Sequence, residues 1–288
     1  GMPQPPTFAA LWDALLPIGR DPDTGGYRRF SWTPADLECR AWFEAAARQR
    51  QLRTERDRNG NLWGWWDVRG SAAAVATGSH LDSVPNGGAY DGPLGVVSAF
   101  AAIDELRAAG FVPARPIAVA AFTEEEGARF GVACLGSRLL TGAIEPGAAR
   151  GLQDANGVTL ASAMRDAGYH PDLIGPDEAL VARLDCYVEL HIEQGRALAD
   201  LGAAVGIAEG IWPHSRWRLD FIGQADHAGT AALADRRDPM IPYAATVLAA
   251  RQAAIERCAR ATISKVTAEP GAANAVGSAV RAWLDVRA

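Results

Sequence analysis

The chain has 288 residues, a net charge of −6 and a pI near 5.4, so it is long enough for one large domain or two smaller ones. This acidic balance argues against a nucleic-acid partner, and the sequence has no apolar run of about 18 residues that would span a membrane. Four scattered cysteines without a C-x-x-C pair predict free thiols in a reducing compartment, so we expect a cytoplasmic protein.

Helices and short apolar runs alternate over the first two-thirds of the chain. The first clear helix is predicted over residues 34–50, with Thr33 as its cap and Pro34 in its first turn. Its predicted buried stripe consists of Leu37, Ala41, Trp42 and Ala45.

Three apolar runs, at 73–78, 117–122 and 187–192, predict buried strands. Residues 94–109 predict a helix that stops at Gly110. The stretch 141–185 is rich in Gly, Pro and Asp and predicts a loop with one short helix near 160–167. This alternation favours an α/β sheet with helices on both faces.

The pattern changes after about residue 206. Strands are predicted at 216–222, 261–267 and 279–286, with one long helix at 239–257. The order β-α-β-β begins a small α+β sandwich that lacks a second helix and a fourth strand. We therefore expect two domains, 1–206 and 207–288.

Three segments place histidine and carboxylate side chains directly after predicted strands. They are ATGSHLDSVPNGGAYDGPLGV (76–96), FTEEEGARF (122–130) and ELHIEQG (189–195). Functional side chains of an open α/β sheet gather at the carboxyl ends of its strands. Imidazole and carboxylate suit zinc and its first-row neighbours, so the sequence predicts a metal-dependent hydrolase.

Residue types within these segments suggest separate roles. Asp82 follows His80 by two residues and is expected to hold the imidazole through its other ring nitrogen. Asp91 lies in a glycine-rich turn that suits a carboxylate bridging two cations. Of the adjacent acids Glu125 and Glu126, one would bind metal and the other would accept the proton of the attacking water.

Each feature also has an ordinary structural explanation. A single histidine is more often a structural residue, Asp-Gly is usually a turn, and an acidic triplet on a helix would be a solvated face. Three such segments in one chain favour the metal site. His227, in GQADHAGT, has only Asp226 as a metal-type neighbour and is expected to contact substrate or an oxyanion.

Together, the segments GSHLDSVPNGGAYDGPLGV, EEEGARFG, ELHIEQG and GQADHAGT resemble the M20 metallopeptidase superfamily, and within it the amidase/hydantoinase/carbamoylase group. The resemblance implies a zinc-peptidase-like catalytic domain over 1–206, with a mixed sheet and helices on both faces. It implies a ferredoxin-like lid or dimerisation domain over 207–288. Both domains are expected to be incomplete in this chain.

The resemblance also implies a role for each site residue. His80 and His191 would bind one divalent metal ion, Asp91 would bridge, and Glu126 would bind the second ion. Glu125 would be the general acid and base. The substrate contacts would be Gln194, Asn274, Arg287 and His227, with His227 stabilising the oxyanion from the partner chain of a homodimer.

The implied reaction is hydrolysis of the C–N bond of a small ureido substrate, either allantoate or an N-carbamoyl-L-amino acid. The segments GIWPHSRWRLDF and DRNGNLWGWW look most like sequences called allantoate amidohydrolases. A complete site would hold two ions, either zinc or manganese, cobalt or nickel. No histidine follows His227, whereas the group has a later histidine ligand, so we expect a truncated chain that binds at most one metal ion tightly.

Two alternatives remain at this stage. The nearest enzyme alternative is an M20 aminoacylase or dipeptidase, and the other is a truncated remnant without catalytic activity. The resemblance further implies a non-proline cis peptide at Asp91-Gly92.

Overall fold

A computed structural model describes residues 7–70 and 72–288. The chain forms two compact units, Gly1–Arg196 and Ala197–Ala288. This division lies earlier than the domain boundary expected after residue 206, which stays a prediction for the functional domains.

The first unit contains most of the helices and a five-stranded sheet. Its elements are α1 (Phe8–Leu15), α2 (Pro34–Gln49), β1 (Arg53–Arg56), β2 (Leu62–Trp66), β3 (Ala74–His80), α3 (Pro93–Ala108), β4 (Ile117–Phe122), α4 (Leu135–Thr141), α5 (Pro146–Arg150), α6 (Leu160–Asp166), a 3₁₀ turn (Pro171–Leu173), α7 (Glu178–Val181) and β5 (Leu184–Val188).

The sheet of the first unit is mixed, with strand order β1-β2-β4-β3-β5. Strands β1, β2 and β4 pair antiparallel, whereas β3 runs parallel to both β4 and β5. In the β3–β4 register, His80 pairs with Phe122, so the carboxyl ends of these two strands lie side by side. The predicted mixed α/β architecture is confirmed.

Helices cover both faces of this sheet. Successive strand residues point to opposite sides, so neighbouring residues of one strand pack against different helices. Val119 and Ala121 of β4 pack with buried residues of α1, α2 and α3. The alternate residues Ala118 and Ala120 pack with Trp63, Trp65 and residues of α4 and α7. The sheet that carries the candidate site is therefore buried on both sides.

The predicted apolar stripe of α2 is confirmed only for Trp42, which packs partly buried against the core. Leu37 is exposed, and the buried face instead carries Cys39, Phe43 and the ion pair between Asp36 and Arg40, whose Oδ2–Nε distance is 2.7 Å. Hydrophobic periodicity missed this face because two of its members are charged. Thr33 is the N-cap residue, as predicted, but its hydroxyl donates to the Phe30 carbonyl and makes no cap hydrogen bond to the helix.

Other boundaries also differ from the predictions. The third strand runs from Leu184 to Val188 rather than over 187–192, so the segment from 189 onward is free to leave the sheet. The stretch 141–185 holds the predicted helix α6, but also α5, α7 and a 3₁₀ turn. Strands β1 and β2 were not predicted. Helix α3 ends just before Gly110, as expected.

The second unit has the predicted β-α-β-β order. Its elements are α8 (Ala197–Leu201), β6 (His214–Ile222), β7 (Asp226–His227), a 3₁₀ turn (Leu233–Asp235), α9 (Met240–Glu256), β8 (Arg260–Glu269), β9 (Ala275–Val276) and β10 (Ala279–Arg287). The three long strands form an antiparallel sheet in the order β6-β10-β8, and β7 pairs with β9.

Among the described residues, no helix combines the length and the apolar character needed to cross a membrane.

Candidate metal centre

The candidate site lies where strands of the first unit end. His80 is the last residue of β3, the three glutamates follow β4, and His191 follows β5 by three residues. Because β3, β4 and β5 run parallel, these side chains start from the same edge of the sheet.

Two imidazoles converge on the Asp91 carboxylate. The Asp91 Oδ1 atom lies 3.2 Å from His191 Nε2 and 3.7 Å from His80 Nε2. One ligand atom from each of these three residues lies within 4.8 Å of the ligand atoms of the other two. The three residues could therefore hold one divalent cation.

A second group shares His80 with the two acids after β4. His80, Glu125 and Glu126 offer ligand atoms that also lie within 4.8 Å of one another. The Glu125 Oε2 atom is 3.5 Å from His80 Nε2. Because both groups use the same imidazole, they describe one continuous cluster rather than two separate sites.

Both imidazoles are oriented by backbone carbonyls. His80 Nδ1 lies 2.9 Å from the Asp82 carbonyl oxygen, and His191 Nδ1 lies 2.7 Å from that of Ile192. A carbonyl only accepts hydrogen bonds, so Nδ1 carries the proton in each ring. In each ring Nε2 therefore faces the cluster, and it is the atom that a metal ion would bind after displacing its proton.

Asp82 acts differently from the expectation. Its carboxylate is 3.6 Å from His80 Nδ1, and the hydrogen bond to the ring comes from the Asp82 backbone carbonyl instead. The two carboxylate oxygens accept the backbone N–H groups of Glu125 and Glu126, at 3.2 and 3.1 Å. Buried Asp82 thus joins the end of β3 to the main chain of both acids.

The crowded charges shift the pKa values of the cluster in opposite directions. Hydrogen bonds from His191 and His80 hold the pKa of Asp91 far below its ordinary value. The bond to Asp91 raises the pKa of His191 to about 9. Burial opposes charge on His80, but the carboxylates of Asp82 and Asp91 outweigh it and raise its pKa.

The pKa of the Glu126 carboxyl is raised toward neutral pH. Burial, together with the negative charges of Asp91 and Glu125, raises the pKa of Glu126 to about 7. A divalent cation would relieve this repulsion and displace the protons from both imidazoles. The donor types and their mutual repulsion therefore fit a metal site.

Glu124, the first acid of the triplet, and Gln194 have different surroundings. Glu124 is buried, and its carboxylate folds back to accept the N–H groups of Arg129 and Phe130. Burial raises the pKa of Glu124 to about 7. Gln194, expected to contact substrate, donates from Nε2 to Asp91 Oδ2 at 2.6 Å.

Gly92 fits the chain closely against His80. Its φ is +87°, and a Cβ atom there would lie 2.5 Å from the His80 carbonyl oxygen and 2.6 Å from the ring. The expected cis peptide at Asp91-Gly92 is not found: in the described residues the cis bond is Glu269-Pro270. Glycine fits this turn because it adopts a positive φ and has no Cβ atom to collide with His80.

The other predicted substrate contacts lie in the second unit. His227 in β7 and Asn274 are neighbours, since the Ala228 N–H donates to the Asn274 carbonyl at 3.0 Å. Arg287 lies at the far end of β10, where its Nε is 3.1 Å from Asp285 Oδ1. Arg287 is eight residue steps, roughly 26 Å, from Ala279 at the other end of β10. His227 pairs with Ala275, four residues before Ala279.

Sequence reasoning missed several residues beside the cluster. Ser79 and Tyr187 both donate to the Glu189 carboxylate, which ties the end of β3 to the segment that carries His191. Cys134 Sγ lies 3.6 Å from Glu125 Oε1. The only signal for Glu189 was its place in ELHIEQG, and nothing in the sequence signalled Cys134.

This fold and this cluster define a class: α/β proteins with histidine and carboxylate side chains, a candidate divalent-metal site, at the carboxyl ends of sheet strands. Residues 76–284 match the model of peptidase family M20/M25/M40, and the chain belongs to this family.

Known proteins of several names are similar to the chain. The N-carbamoyl-L-amino acid amidohydrolase of Geobacillus stearothermophilus is 36% identical over 96% of this chain and 68% of its own length. The ureidoglycolate hydrolase of Arabidopsis thaliana is 34% identical over 90% of the chain and 56% of its own length. The allantoate amidohydrolase of Escherichia coli is 32% identical, over 95% and 66%.

Solved structures agree with the sequence matches. AtUAH in complex with glyoxylate superposes with a TM-score of 0.86 at 32% identity, over 97% of this chain and 68% of that one. The chain thus spans between 56% and 68% of the lengths of these relatives.

Proposed function

We propose that the protein hydrolyses a C–N bond of a small substrate that carries both a ureido group and a carboxylate. The convergence of two imidazoles and three carboxylates at the strand ends carries this proposal. Relatives named for N-carbamoyl amino acids, ureidoglycolate and allantoate support it, because all three compounds contain a ureido group and a carboxylate.

His80, Asp91, Glu126 and His191 would hold the metal in this proposal, with Asp91 between the two imidazoles. A divalent ion bound there, zinc or manganese, cobalt or nickel, would acidify water and offset negative charge on the carbonyl oxygen. A complete site would hold two such ions.

Glu125 would move the proton. Its backbone is fixed by Asp82, while its side chain remains partly exposed beside His80. It would accept a proton from the attacking water and deliver it to the departing nitrogen. One water molecule then converts the ureido group into an amine, carbon dioxide and ammonia.

We further propose that the active protein is a homodimer. His227 and Asn274 lie near one end of the small sheet and Arg287 at the other, so one compact substrate cannot touch all three on the same unit. His227 and Asn274 would therefore serve a different protomer's substrate from Arg287, which would pair with a substrate carboxylate.

Helix α9 offers a surface for this contact. Ile241, Leu248 and Ile255 recur every seven residues and are 68%, 70% and 56% exposed. The opposite side of the helix packs on the sheet, where Tyr243 meets Phe221 edge-on. Leu248→Asp should yield monomers in sedimentation experiments, whereas Ala249→Asp, a control on the flank of the helix, should not. Dimers in both variants would contradict this interface.

Ammonia release by the metal-loaded protein tests the activity. Ureidoglycolate, allantoate and an N-carbamoyl-L-amino acid would be compared with an N-acetyl amino acid. Turnover of one or more ureido acids alone supports the proposal. Turnover of only the N-acetyl compound would assign an aminoacylase, and metal binding without any turnover would leave a non-catalytic protein. The free thiols of the chain favour a reducing compartment, such as the cytoplasm, for this activity.

A further inference from the structure

The main chain of the three glutamates is anchored at both ends by buried side chains. At one end, Asp82 accepts the N–H groups of Glu125 and Glu126. At the other end, the anchor is the turn between β1 and β2, with the sequence DRNGN (57–61), which lies far away in the chain. From this second anchor we infer that Asn61 is a positioning residue for Glu125 and Glu126.

Asn61 bridges both ends of the loop that follows β4. Its Oδ1 accepts the Thr123 N–H at 3.0 Å, and its Nδ2 donates to the Gly136 carbonyl at 3.2 Å. The Gly136 N–H in turn donates to the Thr123 carbonyl at 2.9 Å. Asn61 is completely buried, so water cannot replace these bonds at low cost.

Asp57 fixes the direction of the Asn61 amide. The Asp57 carboxylate accepts the Asn61 backbone N–H at 2.9 Å and the Asn61 Nδ2 at 2.8 Å. Since both Asp57 and the Gly136 carbonyl are acceptors, the amide must turn its nitrogen to them and its oxygen to the Thr123 N–H. The orientation that holds Thr123 is therefore imposed by the surrounding groups.

The same turn also holds the Thr123 side chain. The Thr123 hydroxyl donates to the Gly60 carbonyl at 2.6 Å, and Arg40 Nη2 donates to the hydroxyl at 3.0 Å. Arg40 Nη1 bonds the Gly60 carbonyl as well, at 2.6 Å. Thr123 is thus clamped through its main chain by Asn61 and through its side chain by Gly60 and Arg40.

The clamp explains why the segment DRNGN would matter to the chemistry. Thr123 stands two residues before Glu125, and Asp82 takes over at Glu125 itself. Between these anchors the backbone has little freedom, so the two carboxylates start from fixed points. Among the described residues, the side chain of Asn61 bonds Asp57, Thr123 and Gly136 and none of the proposed ligands, so it acts through the two ends of the loop. This role rests on the function proposed for Glu125 and Glu126.

Asn59 provides a matched control in the same turn. It is also buried, and its amide makes two backbone bonds, donating to the Gly175 carbonyl at 2.9 Å and accepting the Gly175 N–H at 2.7 Å. Its side-chain bonds reach the stretch after the 3₁₀ turn and not the loop after β4. Asn59→Ala and Asn61→Ala therefore remove amides of similar burial with different destinations.

The test compares these two variants in the full chain without metal. Hydrogen exchange followed by mass spectrometry would report the amides of residues 123–126 and of residues 173–177. Asn61→Ala should speed exchange at 123–126 about tenfold or more, because the Thr123 N–H loses its partner. Asn59→Ala should speed exchange at 173–177 and leave 123–126 close to the unchanged protein. If Asn61→Ala does not fold, Asn61→Ser replaces it, since serine keeps a polar side chain but lacks the amide oxygen that accepts the Thr123 N–H.

Cobalt binding gives a second measurement. Asn61→Ala should weaken binding of the cobalt ion held by Glu126 about 10- to 100-fold and alter its visible absorption, whereas Asn59→Ala should change neither. Equal exchange at 123–126 in both variants, or equal cobalt affinity in both, would overturn the inference. If the unchanged protein binds no metal, the proposed function fails, and the exchange data alone still decide whether Asn61 holds the turn.

Discussion

Glu125 and Glu126 are neighbours in the sequence but meet different surroundings. Glu126 is half-buried, and burial with the charges of Asp91 and Glu125 raises its pKa to about 7. Glu125 is more open and faces His80 Nε2 at 3.5 Å. A buried carboxylate such as Glu126 is stabilised when a metal ion neutralises it, whereas a proton carrier such as Glu125 needs access to water and substrate. These surroundings support the separate roles proposed for the two acids.

Replacing each acid by its amide separates these roles. Glu125→Gln should keep metal affinity and lower turnover of a ureido acid by about 10²- to 10⁴-fold, because only the proton acceptor is lost. Glu126→Gln should weaken binding of the second, less tightly held ion by roughly 10- to 100-fold or more, because it removes a ligand of that ion. Metal titration and ammonia release measure both effects. Equal metal loss in the two variants would show that the roles are wrongly assigned.

The His191 imidazole predicts how metal binding depends on pH. Its hydrogen bond to Asp91 raises its pKa to about 9, so at neutral pH the metal-free ring is protonated. A metal ion must displace that proton, and its apparent affinity should rise as the pH increases from neutral to about 9 and then level off. Calorimetry in buffers of different ionisation enthalpy would count the released protons. An affinity independent of pH over this range would contradict the prediction.

At the scale of elements, helix α3 fixes the turn that carries Asp91. The helix buries Val96, Val97, Phe100 and Ile103 against the sheet, so its position is set by the core. Its first turn begins directly after Gly92, which lies against His80. The packing of one helix thus places Asp91 beside the end of β3.

Two glycines at the ends of α3 allow a matched test. Gly92 and Gly110 both have positive φ, but a Cβ at Gly110 would meet nothing within 4 Å. Gly110→Ala should cost roughly 1–2 kcal/mol of unfolding free energy from backbone strain alone and leave metal affinity unchanged. Gly92→Ala should cost about 1–3 kcal/mol more, since it pushes into His80, and should weaken metal binding. Urea unfolding and metal titration compare the pair, and equal effects in both would refute this account of the turn.

At the scale of the whole molecule, the number of bound ions follows from how the ligands are shared. In the described chain, the two candidate groups both need His80, and Asp91 lies between the imidazoles. One ion can use His80, Asp91 and His191 together. A second ion would be left mainly with carboxylates that already repel one another.

The 288-residue chain should therefore bind about one zinc ion tightly and a second much more weakly. A set of three protein ligands with an open position suffices for zinc, whereas carboxylates and water alone hold it poorly. Metal analysis after dialysis would count the retained ions. Two ions retained per chain, with turnover of a ureido acid, would show that other residues complete the second set.

The metal-type residues and most of the helices and strands could be predicted from the sequence, because both depend on local signals. Strand ends followed by histidine or acid, helix α3 with its stop at Gly110, and the β-α-β-β order of the second unit are all read within short windows. The convergence of His80, Asp91, Glu126 and His191 could also be expected, since parallel strands end at one edge of a sheet.

Only the tertiary structure decided which contacts hold that chemistry in place. The Asn61–Thr123 bond joins residues 62 positions apart, and the buried face of α2 includes the Asp36–Arg40 pair that hydrophobic spacing conceals. The Asp82 carboxylate accepts two backbone amides after the neighbouring strand, while the Asp82 carbonyl oxygen holds the imidazole two residues away. Such contacts depend on which buried polar groups find partners when the elements pack, and that pairing is set by the whole fold rather than by any local pattern.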